Sequence, residues 1–203
     1  VKKAQHNPEL VKNLLCKDFN MRETTGSAWL TFEDLNNEST FDINELKPRY
    51  FIGGADLSRT TDLTCATAIF KKLADGPIYV MQMYWLPEDL LEERSEQDKI
   101  QYNLWVERGL MRVSAGNKIN YSDVTKWYVE LVNTYNMNML WCGYDSWSAK
   151  YWVDEMQGYF GKACMEPVIQ GKKTLSSPMH NMGADLKTKK IIYNNNPILK
   201  WCL

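Results

Sequence analysis

Hydrophobic and polar positions along the chain fall into blocks with two different periods. Near the start, Asn7-Pro8-Glu9 has the form of a helix N-terminus. Leu10, Val11, Leu14 and Leu15 follow on one helical face, and the pattern fades at Phe19-Asn20. Residues 22–47 are mixed and polar, with Trp29 and Phe32 as anchors. This block reads as an arm or linker. A lone apolar helix before a linker looks like the tail of another domain, which sets expected boundaries of 1–47 for the arm and 48–203 for the main domain. The period then changes. Apolar runs at about 49–57, 64–72 and 77–85 predict three consecutive strands, with Ala74-Asp75-Gly76-Pro77 as the second turn. Pro87-Glu88-Asp89 opens a charged helical stretch to about Val106, ended by Gly109, and Leu110 to Val113 reads as short and extended. Ser122 and Asp123 cap a helix that carries Val124, Trp127, Tyr128, Leu131 and Val132 on one side. Met139 to Asp145 reads as a buried strand, about 149–157 as a helix, and Met165 to Ile169 as a fifth strand. Further helices are predicted from near Ser176 and from Pro197.

Three antiparallel strands, a helix, a parallel strand, a helix and a last strand form the ribonuclease-H-like order. The expected fold is α/β, with a five-stranded mixed sheet flanked by helices. In that order the first and fourth strands become parallel neighbours, and open sheets of this kind place their sites at the C-terminal ends of the strands. The first strand ends in Gly53-Gly54-Ala55-Asp56, and the fourth ends in Gly143-Tyr144-Asp145. The two acids would then face each other across about one strand spacing, ~5 Å. That separation suits a shared divalent cation, because hard cations take oxygen ligands and need only one or two protein carboxylates. Asp62, just past the first turn, is a further candidate. The competing structural readings are simple: Asp56 and Asp62 as turn residues, and Asp145 as the N-cap of the next helix.

Composition narrows the choice. The chain has 203 residues, 24 basic and 25 acidic, with a formal net charge of −1. That balance argues against a strongly basic nucleic-acid binder, but not against an enzyme that grips DNA weakly. Five scattered cysteines (Cys16, Cys65, Cys142, Cys164 and Cys202) form no CxxC pair, which argues against a zinc site and for free thiols in a reducing, cytoplasmic compartment. With only His6 and His180, histidine acid/base chemistry has little material. No apolar run is long enough to span a membrane, and no Gly-x-x-x-x-Gly-Lys-Ser/Thr loop is present to bind ATP phosphates.

Four ordered segments also carry a resemblance. FIGGADLSRTTDLT, WCGYDSWSAKYWVDEM, VIQGKKTLSSPMHNM and NNNPILKWCL resemble the nuclease region of the large terminase subunit of tailed bacteriophages, across most of residues 48–203. The opening helix with Asn20 resembles the end of that family's packaging-ATPase region. The resemblance implies a metal-dependent endonuclease of a phage or prophage. It would cut concatemeric viral DNA during genome packaging in the bacterial host cytoplasm. Its implied partners are double-stranded DNA, the terminase small subunit and the procapsid portal. Two Mg²⁺ or Mn²⁺ ions are implied, with Asp56 bridging both, Asp145 binding one and Asp62 auxiliary. Arg59, Lys172 and Lys173 are candidate phosphate contacts. The family also has a third ligand aspartate on a later helix. That position is expected beyond Leu203, so the nuclease region is expected to be truncated at its C-terminus. This keeps a second reading open, a non-catalytic module docking DNA or the portal through a degenerate nuclease fold. A third reading is a sugar-kinase or actin-like phosphotransferase. It would need a second glycine-rich phosphate loop, for which Gly143 offers a single glycine. A transposase or integrase of the same fold would need a glutamate on a late helix.

Overall fold

A computed structural model of the chain describes residues 29–58, 62–145 and 150–203. The helix expected from Asn7 and the candidate Arg59 lie outside the described residues. The three expected antiparallel strands are present as β1 (Tyr50–Asp56), β2 (Thr64–Phe70) and β3 (Ile78–Pro87). β5 (Asn138–Asp145) and β6 (Met165–Val168) follow as parallel strands. Two short strands join them: β4 (Arg112–Ser114) and β7 (Ile191–Ile192), both parallel to β3. The sheet order is β4-β3-β2-β1-β5-β6, with β7 also beside β3. The mixed architecture is the expected one, and among the described residues the sheet has seven strands rather than five. β4 falls on the stretch Leu110 to Val113 that reads as short and extended, whereas the two residues of β7 carry too little alternation to be recognised in a sequence.

The helices show three local differences. The stretch expected as one helix from Pro87 to Val106 is a 3₁₀ turn (Glu88–Leu90), α3 (Leu91–Asp98) and α4 (Tyr102–Glu107). Lys99 adopts a left-handed conformation, φ 55°, and ends α3. The long helix α5 (Tyr121–Tyr135) is capped by Asn120, whose side chain accepts from the Ser122 amide at 3.2 Å. Ser122 and Asp123 sit in its first turn, where the Ser122 hydroxyl donates to Glu155 at 2.8 Å and Asp123 accepts from Ser114 at 2.7 Å. After α6 (Lys150–Phe160), α7 (Lys172–Lys187) begins four residues before Ser176 and contains Pro178. Its first turn is secured by the Thr174 and Leu175 amides, which both donate to the Gly171 carbonyl. α8 (Pro197–Cys202) starts at the expected proline, with Asn196 as its cap.

One face of the sheet is covered by α5 and α6. Trp127, Tyr128, Leu131, Trp152 and Met156 pack there on Phe51, Ala66, Ala68 and Trp85. Among the described residues, the opposite face is covered toward β3. Tyr84 and Leu86 pack there with Tyr102, Met111 and Ile198, while Leu186, Ile191 and Tyr193 pack with Leu30 and Leu35. Those two leucines come from the stretch read as a linker. Residues 29–47 lie on the sheet and form the short helices α1 (Phe32–Leu35) and α2 (Ile43–Leu46). Backbone carbonyls do much of the holding. Lys189 reaches the Asp34 carbonyl at 2.9 Å, and the Tyr193 hydroxyl donates to the Leu35 carbonyl. Of the two expected anchors, Trp29 lies over Gly183. Phe32 remains exposed, with the Lys200 ammonium 5.0 Å from its ring centre.

Asn37 is the clearest polar weld in this segment. It is buried, and its side-chain amide donates to the carbonyls of Ile191 at 2.8 Å and Lys189 at 3.3 Å. Asn37→Ala strands both carbonyls and should lower stability by about 2 kcal/mol, or the Tm by roughly 4–8 °C for a chain of this size. Calorimetry checks this, and a Tm within about 1 °C of the parent would show that the weld carries no weight.

Candidate metal centre at the edge of the sheet

Asp56 is the last residue of β1, and Asp145 is the last residue of β5. The two strands pair in parallel, with Gly54 opposite Gly143 and Ala55 opposite Tyr144. One residue further on, the same register sets Asp56 beside Asp145 at about one strand spacing, ~4.8 Å between backbones. Residue parity decides which face each acid uses. Phe51 and Gly53 on β1, with Cys142 and Tyr144 on β5, face the helices, where Tyr144 meets Trp152. Asp56 and Asp145 therefore share the other face with Ile52 and Trp141, both exposed.

The turn after β1 is held by hydroxyls. Thr64 is fully buried, and its Oγ1 accepts from the Ser58 amide at 3.0 Å and donates to the Ser58 carbonyl at 3.1 Å. The Ser58 hydroxyl accepts from the Asp62 amide at 3.2 Å. These bonds bring the third acid back toward the strand end. The electrostatics register this gathering. Asp56 reaches solvent, yet its carboxyl is held above the usual carboxylate range. Partial desolvation at the strand end is the larger cause, and the charges of Asp145 and then Asp62 add to it.

Among the described residues, no group of three or more His, Cys, Asp or Glu side chains is gathered closely enough to hold a metal ion. The donor set is a pair of carboxylates with a third nearby. It fits a hard cation that keeps most of its water, as Mg²⁺ does. Lys172 and Lys173 open α7 and are exposed. β6, which precedes them, ends at Val168 in register with Asp145, so both lysines lie toward the same edge of the sheet. Asp185 sits near the end of α7, 3.8 Å from the Lys190 ammonium, with no place in this arrangement. Cys65, Cys142, Cys164 and Cys202 are free. Burial pushes the Cys65 and Cys142 thiols up to about 12, so they are unreactive at neutral pH. Sequence reasoning missed Thr64 and Ser58 as the clasp of the turn. Their signal was two hydroxyl residues bracketing it.

The ribonuclease-H-like fold, with an acid at the end of each of two adjacent parallel strands, defines the class of this molecule. The family model for the terminase large subunit, endonuclease domain, matches residues 1–203, and the chain belongs to that family. It is 24% identical over 200 residues to the large terminase subunit of Enterobacteria phage HK97, covering 98% of this chain and 39% of that protein. It is 21% identical over 214 residues to Protein YmfN of Escherichia coli K12, covering 99% and 45%. It therefore spans less than half the length of these relatives. The crystal structure of the HK97 large terminase superposes with a TM-score of 0.70 at 22% identity, over 99% of this chain and 41% of that one. No helix among the described residues is long and apolar enough to cross a membrane.

The raised Asp56 carboxyl has a stability consequence. A group whose folded pKa lies above its unfolded value favours the fold while protonated. That contribution is complete below the ordinary carboxylate pKa and is lost as pH rises through the folded value. At pH 7 the charge on Asp56 therefore opposes folding, and Asp56→Asn should raise the Tm of the metal-free protein by roughly 1–3 °C, a figure kept small because solvent screens the site. The difference should close as pH falls below the ordinary carboxylate range, where the parent carboxyl is protonated in both the folded and the unfolded state. A variant no more stable than the parent at pH 7 would contradict the crowding of charge.

Proposed function

We propose that this chain is a metal-dependent endodeoxyribonuclease of a phage or prophage large terminase, cutting concatemeric viral DNA during packaging in the host cytoplasm. The observation that carries the reading is the pairing of Asp56 and Asp145 at neighbouring parallel strand ends, where partial desolvation first and the neighbouring acids second raise the Asp56 carboxyl. Two carboxylates and solvent-accessible space suit one or two Mg²⁺ or Mn²⁺ ions. Bound there, such ions supply positive charge against the scissile phosphate and lower the pKa of an attacking water.

In this reading the chain's own residues hold and orient. Asp56, flanked by the other two acids, and Asp145 would hold the cation through their carboxylate oxygens. Asp62, whose amide donates to the Ser58 hydroxyl, would serve as an auxiliary ligand. Lys172, Lys173 and Arg59 pair with backbone phosphates, which gives affinity without base preference. Double-stranded DNA is the substrate, and the terminase small subunit and procapsid portal are the expected protein partners.

A second reading keeps the fold without the chemistry, as a module that docks DNA or the portal. The observation in its favour is that no three-ligand group occurs among the described residues. Plasmid cleavage in Mn²⁺ separates the two. Asp56→Asn and Asp145→Asn should each retain under about 1% of the parent rate with unchanged circular dichroism, a loss of more than ~2.7 kcal/mol in transition-state stabilisation. A parent that binds DNA but never cuts it, at any Mn²⁺ concentration, establishes the docking module instead.

A further inference from the structure

Tyr128 lies on the buried face of α5, and no part of the chemistry above uses it. Its hydroxyl sits 2.8 Å from the Gly54 carbonyl, to which it donates, and 3.1 Å from the Thr67 carbonyl. Gly54 and Thr67 are directly opposed partners on β1 and β2. The Cys142 thiol donates to the same hydroxyl at 3.8 Å from β5. One oxygen thus touches the three central strands β1, β2 and β5, two to three residues before the acids. Gly54 is two residues before Asp56, and Cys142 is three residues before Asp145.

The surroundings are shaped to admit this side chain. A Cβ on Gly53 would stand 3.0 Å from the Cys142 sulfur and 3.2 Å from Tyr128 Cε1. A glycine here is what lets the ring approach the strands. Phe51 stacks on the ring from below, with planes 9° apart and centroids separated by 6.1 Å. On the far side of the sheet, the Thr67 hydroxyl also donates to the Gly54 carbonyl, at 3.3 Å. The peptide leading to Asp56 is therefore gripped from both faces. Complete burial keeps the Tyr128 phenol protonated well beyond neutral pH, so it remains a donor.

We infer that Tyr128 is a positioning residue that sets the spacing of Asp56 and Asp145 and thereby the affinity of the site for a divalent cation. The inference rests on the metal reading above. A buried hydroxyl that merely filled the core would need one acceptor. This one spans the strands of both acids, at the level where a shift in either strand is passed to its carboxylate. Groups that orient metal ligands from behind typically change metal affinity by about 10–100-fold when removed.

The test is Mn²⁺ binding by the parent, Tyr128→Phe and Leu131→Val, read from free Mn²⁺ in electron paramagnetic resonance, with the Tm of each. Leu131 is buried on the same helix and touches neither acid strand's hydrogen bonds. Tyr128→Phe should raise the Mn²⁺ Kd by about tenfold, whereas Leu131→Val should lower the Tm and leave the Kd within about twofold. If both variants weaken Mn²⁺ equally, or if Tyr128→Phe binds it as the parent does, Tyr128 is only a core residue and the inference is overturned. A parent that binds no Mn²⁺, like Asp56→Asn, overturns the metal reading and this inference together.

Discussion

Two negatively charged side chains stand beside each other because the backbones that carry them are hydrogen-bonded neighbours. At ~5 Å, with an effective dielectric between 20 and 80, their repulsion is about 1–3 kcal/mol. β1 is held on one side by β2 and on the other by β5, so Asp56 has no freedom to swing away by moving its strand. The core beneath outweighs that repulsion. Burying a single large side chain is worth about 1.5–3 kcal/mol, and Phe51, Trp85, Tyr128 and Trp152 are all buried under this part of the sheet. The strain is electrostatic and local, and it is held by packing distributed across α5 and α6.

The two faces of the sheet divide the work. The helix-covered face is buried, and Gly53 lets the Tyr128 ring approach the strands closely. Among the described residues, the other face is clothed over β3 and open over β1 and β5, where Ile52 and Trp141 reach solvent beside the acids, Trp141 at 53% exposure. Under the proposed reading the site would have to admit a large polyanion, and this open side would serve it. Residues 29–47 and α7 cover the β3 half of this face without reaching the acids.

Much of the fold was legible in the sequence because its elements are long and regular. The runs from Tyr50 to Asp56 and from Met139 to Asp145 are continuous apolar stretches of strand length that end in an acid, and α5 shows its helical period over several turns. The extended stretch at β4 was legible, but not its pairing with β3, and β7 was not legible at all: two residues have no pattern of their own and are a strand because β3 offers them an edge. The linker reading of residues 29–47 failed for a similar reason. Their hold on the sheet comes from two leucines, the Asn37 amide and backbone carbonyls, none of which produces periodicity. The start of α7 was misplaced because Ser176-Ser177-Pro178 imitates a helix N-terminus from inside a helix.

The sequence by itself determined the strand order, the placing of an aspartate at the end of two strands, and the near-neutral charge, because these follow from local period and composition. It also contained the glycines, but not their reason. Only the tertiary structure decided that both acids share the open face, that Ser58 and Thr64 return Asp62 toward them, and that Tyr128 ties their strands together. Those facts depend on register and on which side chain crosses from a distant helix. A one-residue slip of either strand would have turned its acid into the core.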